Sequence, residues 1–108
     1  MSTLDAAAVA AIAARLHAAA RTQGSVEPIT ATVAALDVTD AYRVQDPVVG
    51  LRVAEGERVV GSKLGLTSLA KQQEMDVHEP IGGWLTERMW LAEGEPLDTS
   101  ALVQPRCE

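Results

Sequence analysis

No phenylalanine occurs in this chain, and its helix-forming opening stretch is mostly alanine, so any core it builds has to be thin. Alanine buries little surface, and hydrophobic stabilisation scales with the area taken out of water. The rest of the apolar content is chiefly valine and leucine, with Trp84, Trp90 and Tyr42 as the large rings. A length of 108 residues gives room for one small domain, 1–108, with no linker inside it. A core this shallow is expected to lean on a partner or on more chain.

The pattern along the chain predicts an α+β unit: N-terminal helices followed by a short mixed β-sheet. Leu4, Ala8, Ile12 and Leu16 recur every four positions, which predicts a helix over 3–21 capped by Ser2 or Thr3, with Asp5 favourable in its first turn. Gly24 and Pro28 end it, and 29–37 has no clean period and reads as loop. A second helix is expected from an N-cap at Thr39, with Ala41, Val44, Val48 and Leu51 on one face. Pro47 inside it predicts a kink or an early stop. After a turn at Glu55-Gly56-Glu57, residues 58–67 read as a strand, and Ser68 caps a short helix ending at Met75. Residues 76–83 read as loop because of Pro80 and the Gly82-Gly83 pair. Met89-Trp90-Leu91 and Ala101-Leu102-Val103 read as short strand pieces.

Charge excludes several function classes. Fifteen acidic residues against nine basic give a net charge of −6, the wrong sign for a nucleic-acid surface. No apolar run approaches the roughly 20 residues of a membrane-spanning helix. Cys107 is a lone cysteine, and with His17 and His78 it cannot complete a zinc site. These features together predict a cytoplasmic protein with neither nucleic acid nor membrane as a partner.

Both lysines, Lys63 and Lys71, fall within nine residues, while the other basic positions are arginine. Lysine, unlike arginine, can give up its proton in a buried site. Strand alternation groups Val59, Gly61, Lys63, Gly65 and Thr67 on one side and Val60, Ser62, Leu64 and Leu66 on the other. Glycines two positions either side of Lys63 leave open space along its stem, where a ligand or another backbone can approach. The run Gly56 to Lys63 comes close to a phosphate-binding loop. It fails because Ser62 precedes the lysine, Leu64 follows it, and the residues favour a strand. Asp76, His78 and Glu79 cluster in the next loop, where a solvated turn competes with a metal or proton-transfer role. His17, in the alanine-rich helix, reads as structural.

Taken in order, Ala41-Tyr42-Arg43-Val44-Gln45, Gly61-Ser62-Lys63-Leu64-Gly65-Leu66-Thr67-Ser68, Ala70-Lys71, Met75, Val77, Pro80-Ile81, Gly83 and Leu85 resemble one enzyme group. This is the 2-oxo-3-hexenedioate (4-oxalocrotonate) decarboxylase and 2-keto-4-pentenoate hydratase family, within the fumarylacetoacetate hydrolase superfamily. The resemblance spans nearly the whole chain, and it departs from the family pattern at Gly82, Glu74 and Gln104. It implies the opening part of a fumarylacetoacetate-hydrolase-like fold, and so the N-terminal part of a larger lyase.

The family's members are magnesium- or manganese-dependent lyases of catechol meta-cleavage. The resemblance therefore implies a small 2-oxo dicarboxylic acid as substrate and Mg2+ or Mn2+ as cofactor once the rest of the site is supplied. Lys63 would be the catalytic lysine, and Tyr42, Gln45, Thr67 and Ser68 would bind substrate. Lys63 is expected in a low-dielectric pocket, where lysine gives up its proton more readily. Pro105-Arg106-Cys107-Glu108 resembles the opening of the family's Glu-x-Glu pair, which makes Glu108 the expected metal ligand. Homo-oligomers, and a complex of decarboxylase with hydratase subunits, are implied as well. The decarboxylase is the favoured reading, with the hydratase second and a non-catalytic fragment serving as an assembly module third.

Overall fold

The computed structural model describes residues 4–107. Helix α1 spans Ala6–Arg21, α2 Val38–Ala54 and α3 Leu69–Glu74, while strands β1 (Val59–Gly65) and β2 (Ile81–Thr86) form an antiparallel hairpin. The fold is α+β as expected, but among the described residues the sheet is antiparallel throughout and not mixed.

The helix starts follow from carboxylate caps. Asp5 accepts from the Ala8 N–H at 2.7 Å and is the N-cap of α1; the expected caps, Ser2 and Thr3, lie outside the described residues. Asp37 caps α2 through a reciprocal pair with Asp40, so this helix begins before Thr39, two residues from the expected cap. Asp40 is fully buried and accepts from Arg43 at 3.0 Å, and Arg43 also donates to the Leu4 carbonyl at 2.9 Å. Helix α2 continues through Pro47 to Ala54. One lost hydrogen bond does not end a helix whose start is doubly capped and whose face is packed. Val9 and Ala13 of α1 pack with Val44 of α2, and Leu4, Ile12, Leu16 and Val48 ring them.

Two sequence expectations fail after the hairpin. Residues 81–83, read as loop, begin strand β2, because pairing with β1 overrides the low strand preference of Gly82 and Gly83. The strand pieces expected at 89–91 and 101–103 do not form; short 3-10 turns sit at Glu87–Met89 and Thr99–Ala101 instead. A β-bulge interrupts the hairpin between Val59 and Gly61, so Val59 pairs with Thr86 but Gly61 pairs with Leu85.

A buried carboxylate ties these elements together. The Glu57 side chain is fully inaccessible and accepts from Thr86 Oγ1 at 2.6 Å, Arg21 Nη2 at 2.8 Å and Arg52 Nη1 at 3.3 Å. Arg21 also bonds Glu55, whose other oxygen lies 2.6 Å from His17 Nε2. The cluster thus joins α1, α2, the turn after α2, and β2. Burial pushes the Glu57 carboxyl up, but the Thr86 hydroxyl and the Arg21 and Arg52 guanidinia together hold it below the usual carboxylate range. Hydrogen bonds from Arg21 and then His17 hold Glu55 down to about 2.

Both carboxyls are depressed in the folded chain, so their contribution is present above the unfolded carboxylate range and is lost as pH falls through the folded values. Urea midpoints are expected to be level above about pH 5 and to fall between about pH 4.5 and 2. Thr86→Val keeps the side-chain volume but strips Glu57 of its shortest donor. Denaturant unfolding is expected to register a loss of about 1–3 kcal/mol.

Candidate functional site

Two side chains one turn apart on α2 grip the outer edge of the hairpin. Residues i and i+3 share a helix face, and here Tyr42 Oη accepts from the Gly82 N–H at 3.0 Å while Gln45 Nε2 donates to the Gly82 carbonyl at 2.9 Å. Both backbone groups of Gly82 therefore point away from β1. Its cross-strand partner Leu64 is then a non-hydrogen-bonded pair, and Lys63 and Gly83 next to it form the bonded one. The departure at Gly82 fits this geometry, since Tyr42 and Gln45 close on that residue's backbone from the edge.

Alternation gives the hairpin two faces. Ser62, Leu64, Gly82 and Trp84 lie on one, and with Thr39, Tyr42, Arg43, Gln45 and Asp46 of α2 they line an open cleft of about 620 Å³. Lys63 and Gly83 lie on the other with Gly65, Ile81 and Leu85, around a smaller recess of about 390 Å³. Gly83 is directly across from Lys63, and a Cβ built at Gly61 would meet nothing within 4 Å, so this face is open on the Gly61 side, whereas Ile81 fills the space at Gly65, 3.2 Å from where a Cβ would sit.

Alternation thus puts Lys63 on the face away from the cleft, although Gln45 Nε2 lies 3.6 Å from where a Cβ at Gly83, across from Lys63, would sit. Tyr42 and Gln45 border the cleft, with their polar atoms on the Gly82 backbone. Lys63 lines the recess on the opposite face and is exposed, so the described residues do not form the low-dielectric pocket expected around it. Thr67 and Ser68 are exposed at the end of β1, where Ser68 Oγ accepts from the Lys71 N–H at 3.2 Å and caps α3. Just before them Leu66 has φ +52°, a left-handed conformation that costs a β-carbon residue roughly 1–2 kcal/mol. Gln72 Nε2 bonds the Leu66 carbonyl at 2.9 Å and holds that corner. Glu108 lies outside the described residues. Among those described, no three His, Cys, Asp or Glu side chains gather where they could hold a metal, so these residues do not by themselves fit a divalent ion. Sequence reading missed the roles of Gly83 and Trp84, since only the hairpin register sets them opposite Lys63 and Ser62.

No family model matches the chain. The 2-keto-4-pentenoate hydratase of Burkholderia vietnamiensis is 40% identical over 100 residues, which is 93% of this chain and 38% of the relative. The 2-keto-4-pentenoate hydratase 1 of Dechloromonas aromatica is 38% identical over 108 residues, covering 100% of this chain and 41% of its own. The structure of 4-oxalocrotonate decarboxylase from Pseudomonas putida G7, complexed with calcium and acetate, matches with a TM-score of 0.91 at 32% identity over 95% of this chain. The chain belongs to the 2-keto-4-pentenoate hydratase and 4-oxalocrotonate decarboxylase family. It spans about two-fifths of the length of these relatives. A second structure of the same decarboxylase, complexed with magnesium and adipate, matches with a TM-score of 0.90. The α2–hairpin clamp is thus described on a backbone that a family enzyme shares.

The clamp has a direct test. Tyr42→Phe removes the acceptor for the Gly82 N–H and nothing else polar. Amide exchange at Gly82 is expected to accelerate, with a stability loss of about 1 kcal/mol.

Proposed function

We propose that this chain supplies the Lys63 part of a lyase acting on small 2-oxo or 2-hydroxydienoate acids, as its relatives' names suggest. The observation that carries this reading is the match over nearly the whole chain to enzymes named for both reactions. A substrate of this class carries a carboxylate, and Lys63 brings an amine to a strand face with open space at Gly61 and a glycine, Gly83, directly opposite. In that role Lys63 holds the substrate's oxygens and passes a proton to or from the dienol carbon skeleton. Thr67 and Ser68, at the corner after β1, would add hydroxyl hydrogen bonds. Tyr42 and Gln45 act by positioning: they fix β2, and through the hairpin register they fix the residue opposite Lys63.

A divalent metal belongs to this proposal by analogy with the calcium and magnesium complexes of the decarboxylase. When bound, it would polarise the 2-oxo acid as a Lewis acid. On this chain the proposed ligand is Glu108, and the others would come from outside the described residues. The preferred metal and any pairing with further subunits belong to the same proposal.

Two reactions share this chemistry, and each has an observation in its favour. Water addition to a 2-hydroxydienoate is favoured by the sequence relatives, which are 40% and 38% identical hydratases. Loss of carbon dioxide from 2-oxo-3-hexenedioate is favoured by the decarboxylase backbone, at 32% identity.

Product mass after incubation with each substrate and magnesium distinguishes them: a gain of water marks the hydratase, a loss of carbon dioxide the decarboxylase. Absence of both from a folded sample would leave the chain without turnover of its own. In an active assembly, Lys63→Met is expected to lower kcat by about 10²–10⁴-fold. Lys63→Arg keeps the charge, so KM should stay near that of the parent while kcat stays low.

A further inference from the structure

Leu66, at φ +52°, is left-handed in a place where that conformation is unusual. Gln23 and Asp76 are left-handed too, but each directly follows the cap of a helix, Thr22 of α1 and Met75 of α3, where such a residue closes the last turn. Leu66 instead follows Gly65, the last residue of β1, and precedes Thr67 and the α3 cap Ser68. A bulky side chain disfavours that conformation, so the surroundings have to hold it.

Two neighbours do so, one from each side. Ile81 pairs with Gly65, and its Cγ1 lies 3.2 Å from where a Gly65 Cβ would sit, so the strand is packed up to the corner. Beyond the corner, Gln72 Nε2 donates to the Leu66 carbonyl at 2.9 Å. The backbone of Gln72 is itself fixed: its N–H donates to the Ser68 carbonyl at 3.1 Å, and its carbonyl accepts from the Val77 N–H at 2.9 Å. Ser68 is tied to α3 through that carbonyl and through its hydroxyl, which accepts from the Lys71 N–H. Lys63 belongs to β1. Leu66 and Thr67 are the joint between the two, and a left-handed residue there ends the two-residue alternation that would otherwise direct Thr67. The worth of one side-chain hydrogen bond and the cost of one left-handed residue with a β-carbon are of the same order, so the Gln72 amide can decide the balance.

We propose that Gln72 is a positioning residue: by holding Leu66 left-handed, it fixes where the hydroxyls of Thr67 and Ser68 stand relative to Lys63. This rests on the lyase reading for what those three side chains do, and on the corner alone for where they are.

NMR on the chain compares the parent with Gln72→Met and Gln72→Glu. Methionine removes the donor, and glutamate keeps the side-chain length with a carboxylate that cannot donate, so the second variant serves if the first fails to fold. The sign of the Leu66 φ is read from its intraresidue amide–Hα distance, which is shorter at positive φ. Residual dipolar couplings give the directions of the Thr67 and Ser68 N–H bonds against those of β1. In both variants Leu66 is expected to move to negative φ, and the Thr67 and Ser68 bonds to turn relative to β1, while β1 stays paired with β2. Adding Leu66→Asn, a residue that tolerates the left-handed conformation, to Gln72→Glu should restore the parent directions; a general loss of α3 stability would not be rescued in this way. Positive φ at Leu66 in both variants, a changed φ with Thr67 and Ser68 unmoved, or no rescue by Leu66→Asn would overturn the inference. Activity is scored separately. In an active assembly Gln72→Glu should lower kcat by about 10–10²-fold, with most of it regained on adding Leu66→Asn. Parent-like kcat with displaced hydroxyls would defeat the roles given to Thr67 and Ser68 in the lyase reading and leave the corner intact.

Discussion

The Glu57 carboxylate is the point on which the architecture turns. It sits in the turn between α2 and β1, with its side chain fully out of water, and its acceptor sites are filled from three other places in the fold. A buried carboxylate is costly unless every lone pair is met. That cost makes the arrangement selective, because only when α1, α2 and β2 are all docked do Arg21, Arg52 and Thr86 reach it together. Among the described residues the fully buried apolar core, in contrast, is Val9, Ala13 and Val44, ringed by half-buried neighbours. With so little apolar area buried, the ionic cluster carries the orientation of the hairpin relative to the helices, and the core carries only the contact between the helices.

Orientation passes from this cluster to the candidate site in two steps. Thr86 anchors the far end of β2 to Glu57, and Tyr42 with Gln45 anchors its near end at Gly82. Both attachments are polar, directional and made to β2, with which β1 pairs along its length. Lys63 therefore inherits its position from the strand beside it. This division puts the side-chain anchors from the helices and from Glu57 on β2, beside the strand that carries Lys63.

Local chemistry was legible in the sequence, and long-range pairing was not. Ser68 as a cap and 58–67 as a strand rest on short-range rules, and the structure places both within a residue or two. The start of α2 was misjudged at Thr39 because Asp37 and Asp40 cap each other, which needs both positions weighed at once. Strand β2 was misread because Pro80, Gly82 and Gly83 resemble a loop in isolation, and the partner strand and the α2 clamp make Gly82 and Gly83 part of a strand. The Glu57 cluster was invisible for the same reason: its members are 36 and 29 residues apart in sequence. Lys63 was singled out from the scarcity of lysine and its glycine neighbours, but the face it takes relative to Tyr42 and Gln45 was not legible. That needed the register.

The bulge between Val59 and Gly61 adds one residue to β1 against β2. Glycine-rich strands specify their phase weakly, and a one-residue slip turns every side chain to the other face. Zipped from Val59 without the bulge, the same sequence would bring Lys63 opposite Gly82, into the cleft beside Tyr42 and Gln45. The bulge is thus a phase setting for the amine. Two addresses for one functional group are written in a single stretch of chain, and an irregularity of one residue selects between them.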